Sequence, residues 1–123
     1  HLVGDQILNS LCTAIKQHIK QGDAVGRWGG EEFIISLPNA TGEQATQVAK
    51  RISETMAALR VEDREQRTVP VPTVSQGIGM FPCEADEIYR LIDLADRRLY
   101  VAKERERNQI EPDVSHWSKI QAK

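Results

Sequence analysis

The sequence predicts an α+β domain in which helices pack against a mostly antiparallel sheet. Three stretches carry apolar residues at three- and four-residue spacing, which is typical of amphipathic helices. Two short apolar runs around a glycine pair indicate a β-hairpin. A further β-like stretch, residues 69 to 81, lies between the second and third helical patterns. The predicted order is therefore helix, hairpin, helix, strand, helix, strand.

The predicted hairpin covers residues 24 to 37, with Gly29 and Gly30 at its turn. Glycine reaches positive φ without a Cβ clash, so a glycine pair between apolar runs predicts a tight turn. Two carboxylates, Glu31 and Glu32, follow directly. Bare backbone beside hard oxygen ligands can hold a metal-bound phosphate closely. The structural alternative is a hairpin with two solvated acids at its tip, and the glycine pair alone favours it.

The helical stretches are predicted at residues 4 to 21, after residue 41, and at about 86 to 105. Thr41 and Gln44 form a capping box at the start of the second helix, in which Thr41 is the N-cap and Gln44 reaches back. The charged, aperiodic residues 60 to 67 predict a loop. The second helix is predicted to carry one apolar face, formed by Ala45, Val48, Ala49, Ile52, Met56 and Leu59.

Composition limits the classes of function. A chain of 123 residues is one domain at most. The net charge is −2 and acids and bases are mixed, which argues against a broad nucleic-acid or membrane surface. No apolar run reaches the length of a membrane span. Cys12 and Cys83 show no spacing typical of zinc, and we expect a reduced cytoplasmic setting.

We expect the domain to occupy residues 1 to 110, with a short last strand at residues 108 to 110. Residues 111 to 123 contain Pro112 and Trp117 with little periodicity, and we interpret them as a C-terminal tail. The chain begins inside a helical pattern without an initiating methionine. We therefore interpret it as part of a longer protein.

Four motifs resemble those of one known family. Arg27-Trp28-Gly29-Gly30-Glu31-Glu32-Phe33 resembles the signature of the GGDEF family of diguanylate cyclases, in its Gly-Gly-Glu-Glu-Phe form. His1-x-x-Gly4-Asp5 resembles the end of its Gly-His-x-x-Gly-Asp stretch, and Thr73-Val74-Ser75-Gln76-Gly77 its Thr-x-Ser-x-Gly strand. Ala95-Asp96-x-x-Leu99-Tyr100-x-Ala102-Lys103, followed by Arg107-Asn108, resembles its last helix. All four occur in the family's order.

The resemblance implies a palm-like fold related to nucleotide cyclases and polymerases. It also implies an activity, the condensation of two GTP into cyclic di-GMP with release of two pyrophosphates, and Mg²⁺ or Mn²⁺ as the cofactor. Two GTP-loaded domains face each other in this reaction. We therefore expect at least transient homodimerisation and an upstream sensor or dimerising segment.

By resemblance, Glu31 is a metal ligand near the attacking 3′-hydroxyl, where phosphoryl transfer needs charge neutralised on the triphosphate. Glu32 points to the other face of the strand, so a supporting role and pairing with a cation both stay open. Gly29 and Gly30 let the nucleotide approach the main chain. Asp5 matches an acid that recognises guanine through N1–H and the exocyclic amine. A helix-start acid is its alternative, and both roles can hold.

Lys103 and Arg107 match residues that grip the terminal phosphates, and their four-residue spacing predicts one shared helix face. The alternative is a solvated charged run. Arg27 either stabilises the hairpin or faces the site, and the sequence leaves both open.

The chain departs from the family at a product-binding, inhibitory site. Many members carry Arg-x-x-Asp before the hairpin, whereas this chain has Lys20-Gln21-Gly22-Asp23. Arg51 matches a supporting cation of that site. Lysine lacks the planar two-pronged fork that arginine offers to a guanine edge, so we expect weak or absent product inhibition. Gln76 and Glu106 also replace an apolar residue and a glycine of the usual pattern.

The family's first strand and first helix, which carry a second metal carboxylate and a guanine-binding asparagine, would precede His1. We therefore expect weak metal binding and impaired turnover for this chain taken alone. The alternative function is a catalytically inactive GGDEF-like module that senses GTP or cyclic di-GMP. A plain ferredoxin-like interaction domain would explain the fold but not the four ordered motifs.

Overall fold

The structure, a computed structural model, describes residues 2–121, with side chains from 4 to 120. Within that range the helices are α1 (Leu2–His18), α2 (Gly42–Ala58), α3 (Ile88–Glu104) and α4 (Ser115–Gln121). The strands are β1 (Ala24–Gly29), β2 (Glu32–Ser36), β3 (Val61–Glu62), β4 (Thr68–Val69), β5 (Gln76–Gly77) and β6 (Ile110–Glu111). None of the described helices is long and apolar enough to cross a bilayer.

The strands pair in twos. β1 with β2 and β3 with β4 are antiparallel, whereas β5 with β6 is parallel. Helices and mostly antiparallel strand pairs confirm the predicted α+β class.

The chain folds as two compact units. The first unit contains the residues up to Asn39 together with Arg51–Pro72. In it α1 contacts β1, and Nε2 of His18 lies 2.7 Å from the hydroxyl of Thr55, linking α1 to the second half of α2. The buried apolar side chains of this unit are Ala14, Ile15, Ile52, Met56 and Val61.

The second unit contains Ala40–Lys50 and the chain from Thr73 onward. Here α3 packs on β5 and β6. A Cβ added at Gly77 would lie only 2.2 Å from the carbonyl oxygen of Ala95 and 2.5 Å from the amide nitrogen of Leu99. Only glycine therefore lets β5 lie this close to the helix backbone.

The capping box at the start of α2 is confirmed. The amide of Thr41 donates to Oε1 of Gln44 at 2.9 Å, and the amide of Gln44 donates to Oγ1 of Thr41 at 3.1 Å. Both bonds satisfy polar groups that the helix start or its flanking turn would otherwise leave unpaired. The first helix was predicted to end at residue 21, but α1 already ends at His18. The chain then turns through Gly22, which has a positive φ of 95°.

The loop predicted for residues 60 to 67 is correct only for residue 60 and residues 63 to 67, because Val61–Glu62 is strand β3, which pairs with β4 in a short hairpin. Asp63 organises its turn. Its carboxylate accepts from the amides of Glu65 and Arg67 at 2.9 Å and 3.0 Å, and from Nε of Arg67 at 3.0 Å. A single aspartate thus supplies turn bonds that hydrophobic periodicity does not reveal.

The continuous strand expected between residues 69 and 81 is also wrong. Only the end of β4 and the two residues of β5 are strand in this stretch. Pro70 and Pro72 lack the N–H that a ladder requires, so pairing stops after Val69 and resumes only at Gln76.

The tail expected after residue 110 contains regular structure. β6 begins at Ile110, and α4 follows it. Trp117 on α4 is 1% exposed, and its Nε1 donates to the buried hydroxyl of Thr46 at 2.9 Å. A Cβ on Gly42 would lie 2.1 Å from the indole ring. Burial of one large aromatic side chain holds this short helix, which a search for periodicity does not detect.

Candidate functional site

The glycine-rich turn lies at the tip of the β1–β2 hairpin, as predicted. Arg27 pairs with Phe33 and Gly29 with Glu32, so the register shifts at Trp28, which forms a bulge. The two turn residues are Gly30 and Glu31, rather than the glycine pair. Gly30 has a φ of 32°, in the region that favours glycine.

Arg27 holds this turn. Its Nε and Nη2 both donate to the carbonyl oxygen of Gly30, at 2.9 Å and 2.6 Å. Of the two roles that the sequence left open, the structure therefore shows Arg27 stabilising the hairpin.

The two predicted carboxylates lie in different environments. Glu31 is exposed in the turn, and Glu32 is half-buried as the first residue of β2. Among the described side chains no three His, Cys, Asp or Glu groups converge as a metal cage would require. Mg²⁺ in nucleotide enzymes is commonly held by one or two carboxylates together with substrate phosphates and waters. The exposed Glu31 fits a metal ion bound jointly with a triphosphate.

A cleft of about 190 Å³ separates α1 from the hairpin within the first unit. Apolar side chains dominate its walls, and two polar ones, Asn9 and Arg27, line it as well. Asp5 is exposed in the first turn of α1, four residues before Asn9. This position agrees with a helix-start acid and leaves the guanine-recognition role as an expectation. His1, from the same motif, lies outside the described residues.

Lys103 and Arg107 do not share a helix face, so that prediction is wrong. α3 ends at Glu104, and Lys103 is exposed in its last turn. The next residues leave the helix in a left-handed turn, with φ values of 73°, 59° and 48° at Glu106, Arg107 and Asn108. The amide of Asn108 then donates to Oγ of Ser75 at 3.2 Å. Arg107 therefore follows the turn geometry rather than the helical repeat.

The residues of the predicted inhibitory site all belong to the first unit. Lys20 and Asp23 close one turn, in which the amide of Lys20 donates to Oδ2 of Asp23 at 2.8 Å and the amide of Asp23 donates to the carbonyl of Lys20 at 3.0 Å. Arg51 is exposed on α2. The Asp23 carboxylate thus already supports its own turn.

The second unit contains a partly buried ionic cluster of Glu84, Arg98 and His116, which the sequence did not predict. Arg98 donates through Nη1 and Nη2 to the two carboxylate oxygens of Glu84, at 2.8 Å and 2.7 Å. Nη1 also donates to the carbonyl of Ile78 at 2.7 Å. Nε2 of His116 lies 2.7 Å from Oε2 of Glu84, and the amide of Met80 donates to Oε1 at 3.0 Å.

The charge of Glu84 follows from these partners. Burial raises the pKa of Glu84, but hydrogen bonds from Arg98, His116 and Met80 outweigh it and lower the pKa from 4.5 to about 2. Only 9% of the Glu84 side chain is exposed. The group is therefore a buried, ionised structural anchor, and no local sequence signal marks partners that are 14 and 32 residues away.

The comparisons with known proteins agree with the motifs and the fold. Residues 1–109 match the family model described as "Diguanylate cyclase, GGDEF domain". The GGDEF domain of YfiN from Pseudomonas aeruginosa has a TM-score of 0.79 and 30% identity, covering 89% of this chain and 68% of that chain.

Two curated relatives extend the comparison. The uncharacterized protein YhcK of Bacillus subtilis (strain 168) is 37% identical over 112 residues, which cover 89% of this chain and 30% of that protein. The diguanylate cyclase DosC of Escherichia coli (strain K12) is 34% identical over 111 residues, covering 90% of this chain and 24% of that protein. The chain thus spans less than a third of either relative. The four ordered motifs, the fold and the match over residues 1–109 show that the chain belongs to the GGDEF family of diguanylate cyclase domains.

Proposed function

We propose that this domain is a diguanylate cyclase that condenses two GTP into cyclic di-GMP and two pyrophosphates. The observation that carries the proposal is the intact hairpin of a chain of this family, in which Glu31 is exposed beside Gly30 in the turn that follows Gly29. A domain that had lost catalysis would be free to lose these acids.

Each predicted residue keeps a role in the proposal. Asp5 accepts from N1–H and the exocyclic amine of guanine, and the backbone at Gly29 and Gly30 approaches the phosphates. Lys103 and Arg107 bind the terminal phosphates by charge. None of these roles requires the two cations to share a helix face.

The two acids take different roles in the proposal. Glu31 would hold Mg²⁺ or Mn²⁺, which when bound neutralises charge on the triphosphate. Glu32, half-buried at the start of β2, keeps a supporting role at the site. The 3′-oxygen of one nucleotide loses its proton and bonds to the α-phosphorus of the other, while the bond to pyrophosphate breaks. A second identical step closes the ring, so two domains must meet as a homodimer at least transiently.

Turnover tests the proposal directly. The full-length protein is incubated with GTP and Mg²⁺, and nucleotides are separated by chromatography. We expect cyclic di-GMP from the native protein and a loss of about 100-fold or more in Glu31→Gln, as is usual when a group that stabilises transition-state charge is removed. Glu54→Gln, an exposed acid on α2, is the matched control and should keep native activity.

The alternative sensing module gives a different result. Mg²⁺-dependent GTP binding without product, under activating conditions, would refute the cyclase and favour the module that senses GTP. Added cyclic di-GMP in the same assay tests the inhibitory site, where we expect little inhibition because Lys20 replaces the arginine fork. We further propose an upstream sensor segment and a cytoplasmic setting, where GTP is available.

A further inference from the structure

We propose that Arg27 is a positioning residue that orders the Gly30–Glu31 turn before the nucleotide binds. The inference rests on the proposed cyclase function, because it assigns Arg27 a task in presenting Glu31. The direct evidence is the pair of hydrogen bonds from Nε and Nη2 of Arg27 to the carbonyl oxygen of Gly30, at 2.9 Å and 2.6 Å.

The contact fixes more than one oxygen atom. The peptide that joins Gly30 to Glu31 is planar and trans, so its N–H points opposite to its carbonyl. A guanidinium that holds the carbonyl of Gly30 on one side therefore directs the amide of Glu31 to the other side. The same peptide plane contains the amide nitrogen and Cα of Glu31, so it fixes where the side chain of Glu31 begins. The carboxylate of that side chain is the proposed metal ligand.

The turn needs such a restraint. Gly30 lacks a Cβ and has a φ of 32°, so its own conformation is weakly restricted. The ladder is also interrupted just before it, since the register shifts between Arg27 and Gly29 at the Trp28 bulge. Strand pairing alone therefore does not fix the backbone conformation of the Gly30–Glu31 turn. The hydrogen bonds from Arg27 supply the additional restraint.

Arginine is specifically suited to this contact. Two donors of its rigid fork meet one carbonyl, whereas lysine offers a single flexible point charge. Arg27 also lines the cleft beside α1, together with Asn9 and Cys12. Its remaining donors could reach a bound phosphate directly, and the experiment must separate that role from positioning.

The experiment compares Arg27→Lys and Arg27→Gln with Arg60→Gln. Arg60 is a matched control, because it is an exposed arginine of the same unit whose Nη1 also donates to a backbone carbonyl, that of Leu59, at 3.0 Å. Backbone ¹⁵N order parameters of Gly30 and Glu31 are measured in the nucleotide-free chain. We expect them to fall from about 0.8 to below about 0.6 in both Arg27 variants and to stay native in Arg60→Gln.

Turnover supplies the second measurement. We expect kcat to fall about 10- to 100-fold in both Arg27 variants, because a displaced catalytic group loses its orientation, while KM for GTP changes little. Arg60→Gln should keep native kcat and KM. Thermal unfolding of all three variants should match the native chain, because the contact lies at an exposed hairpin tip.

The outcomes separate the possibilities. Unchanged order parameters in Arg27→Gln would overturn the proposal. A raised KM with native kcat, or full activity in Arg27→Lys, would instead assign Arg27 to direct phosphate binding through its charge and would also overturn it. A native protein that makes no cyclic di-GMP would refute the proposed function, and the order parameters in the nucleotide-free chain would still decide whether Arg27 orders the turn.

Discussion

The β1–β2 hairpin and the partly buried ionic cluster around Glu84 use charged side chains in opposite ways. In the hairpin, Glu31 is exposed and the organising bond joins residues only three positions apart. In the cluster, Glu84 is 9% exposed and binds partners 14 and 32 positions away. The first arrangement leaves a carboxylate available for chemistry, whereas the second uses its carboxylate to hold the fold.

The two tryptophans give the largest expected contrast. Trp117 is 1% exposed and bonded to Thr46, whereas Trp28 is 59% exposed on the hairpin bulge. We expect Trp117→Ala to lower the free energy of unfolding by about 3–5 kcal/mol, because it removes a buried aromatic side chain and leaves a cavity. Trp28→Ala should change it by no more than about 0.5 kcal/mol. Urea unfolding of both variants measures the difference. Equal decreases in the free energy of unfolding would contradict the expected contrast between the two tryptophans.

The buried ion pair should produce a large effect that depends on pH. Glu84→Gln leaves the partly buried Arg98 without its charged partner, so we expect a loss of about 2–3 kcal/mol in the free energy of unfolding at pH 7. The folded pKa of Glu84, about 2, lies below the ordinary 4.5. Its contribution is therefore complete above pH 4.5 and is lost as the pH falls from 4.5 toward 2.

Denaturant midpoints between pH 7 and pH 2.5 measure this contribution. The native chain should lose stability through that window, and Glu84→Gln should lose correspondingly less. Asp93→Asn is the matched control, since Asp93 pairs with Arg97 at 3.0 Å but both side chains are more than half exposed. We expect Asp93→Asn to lower the free energy of unfolding by less than about 0.5 kcal/mol. A parallel acid response in Glu84→Gln would show that other carboxylates cause the loss.

The smallest expected effect lies in the turn after α3, where the chain departs from the family's glycine. Glu106 has a φ of 73°, a conformation that strains residues with a Cβ. Glu106→Gly should raise the free energy of unfolding by about 0.5–1 kcal/mol, the relief of strain less the greater chain entropy of glycine. Asn39→Gly, at a φ of 66°, should raise it less, because asparagine tolerates this region. Thermal or urea unfolding of both variants checks the order, and a loss of stability in Glu106→Gly would contradict the strain argument.

The predictions from sequence succeeded and failed for identifiable physical reasons. The capping box of α2 was predictable because Thr41 and Gln44 are three residues apart and their bonds are local. The shared face of Lys103 and Arg107 was wrong because α3 stops at Glu104, where the chain enters a left-handed turn. The helical spacing of two residues predicts a common face only where the helix continues.

Gln76 shows how a departure from the family pattern gains meaning from packing. Its Nε2 donates to the carbonyl of Ala49 at 2.8 Å, across 27 residues of sequence. The polar side chain at a usually apolar position thus bonds the second unit internally. The sequence showed the departure from the family pattern, and it contained no sign of the partner.

Local chemistry was sufficient for the amphipathic helices, the glycine turn and the acids beside it, because helical period, turn type and capping act over a few neighbouring residues. Long-range packing alone decided that Trp117 lies against Gly42 and Thr46 and that Glu84 joins Arg98 and His116. Such pairings form between segments that are distant in the sequence and meet only in the folded chain. Residue type and spacing therefore do not predict them. The hairpin and the position of its acids were therefore predictable from the sequence, whereas the packing of the second unit became visible only in the folded chain.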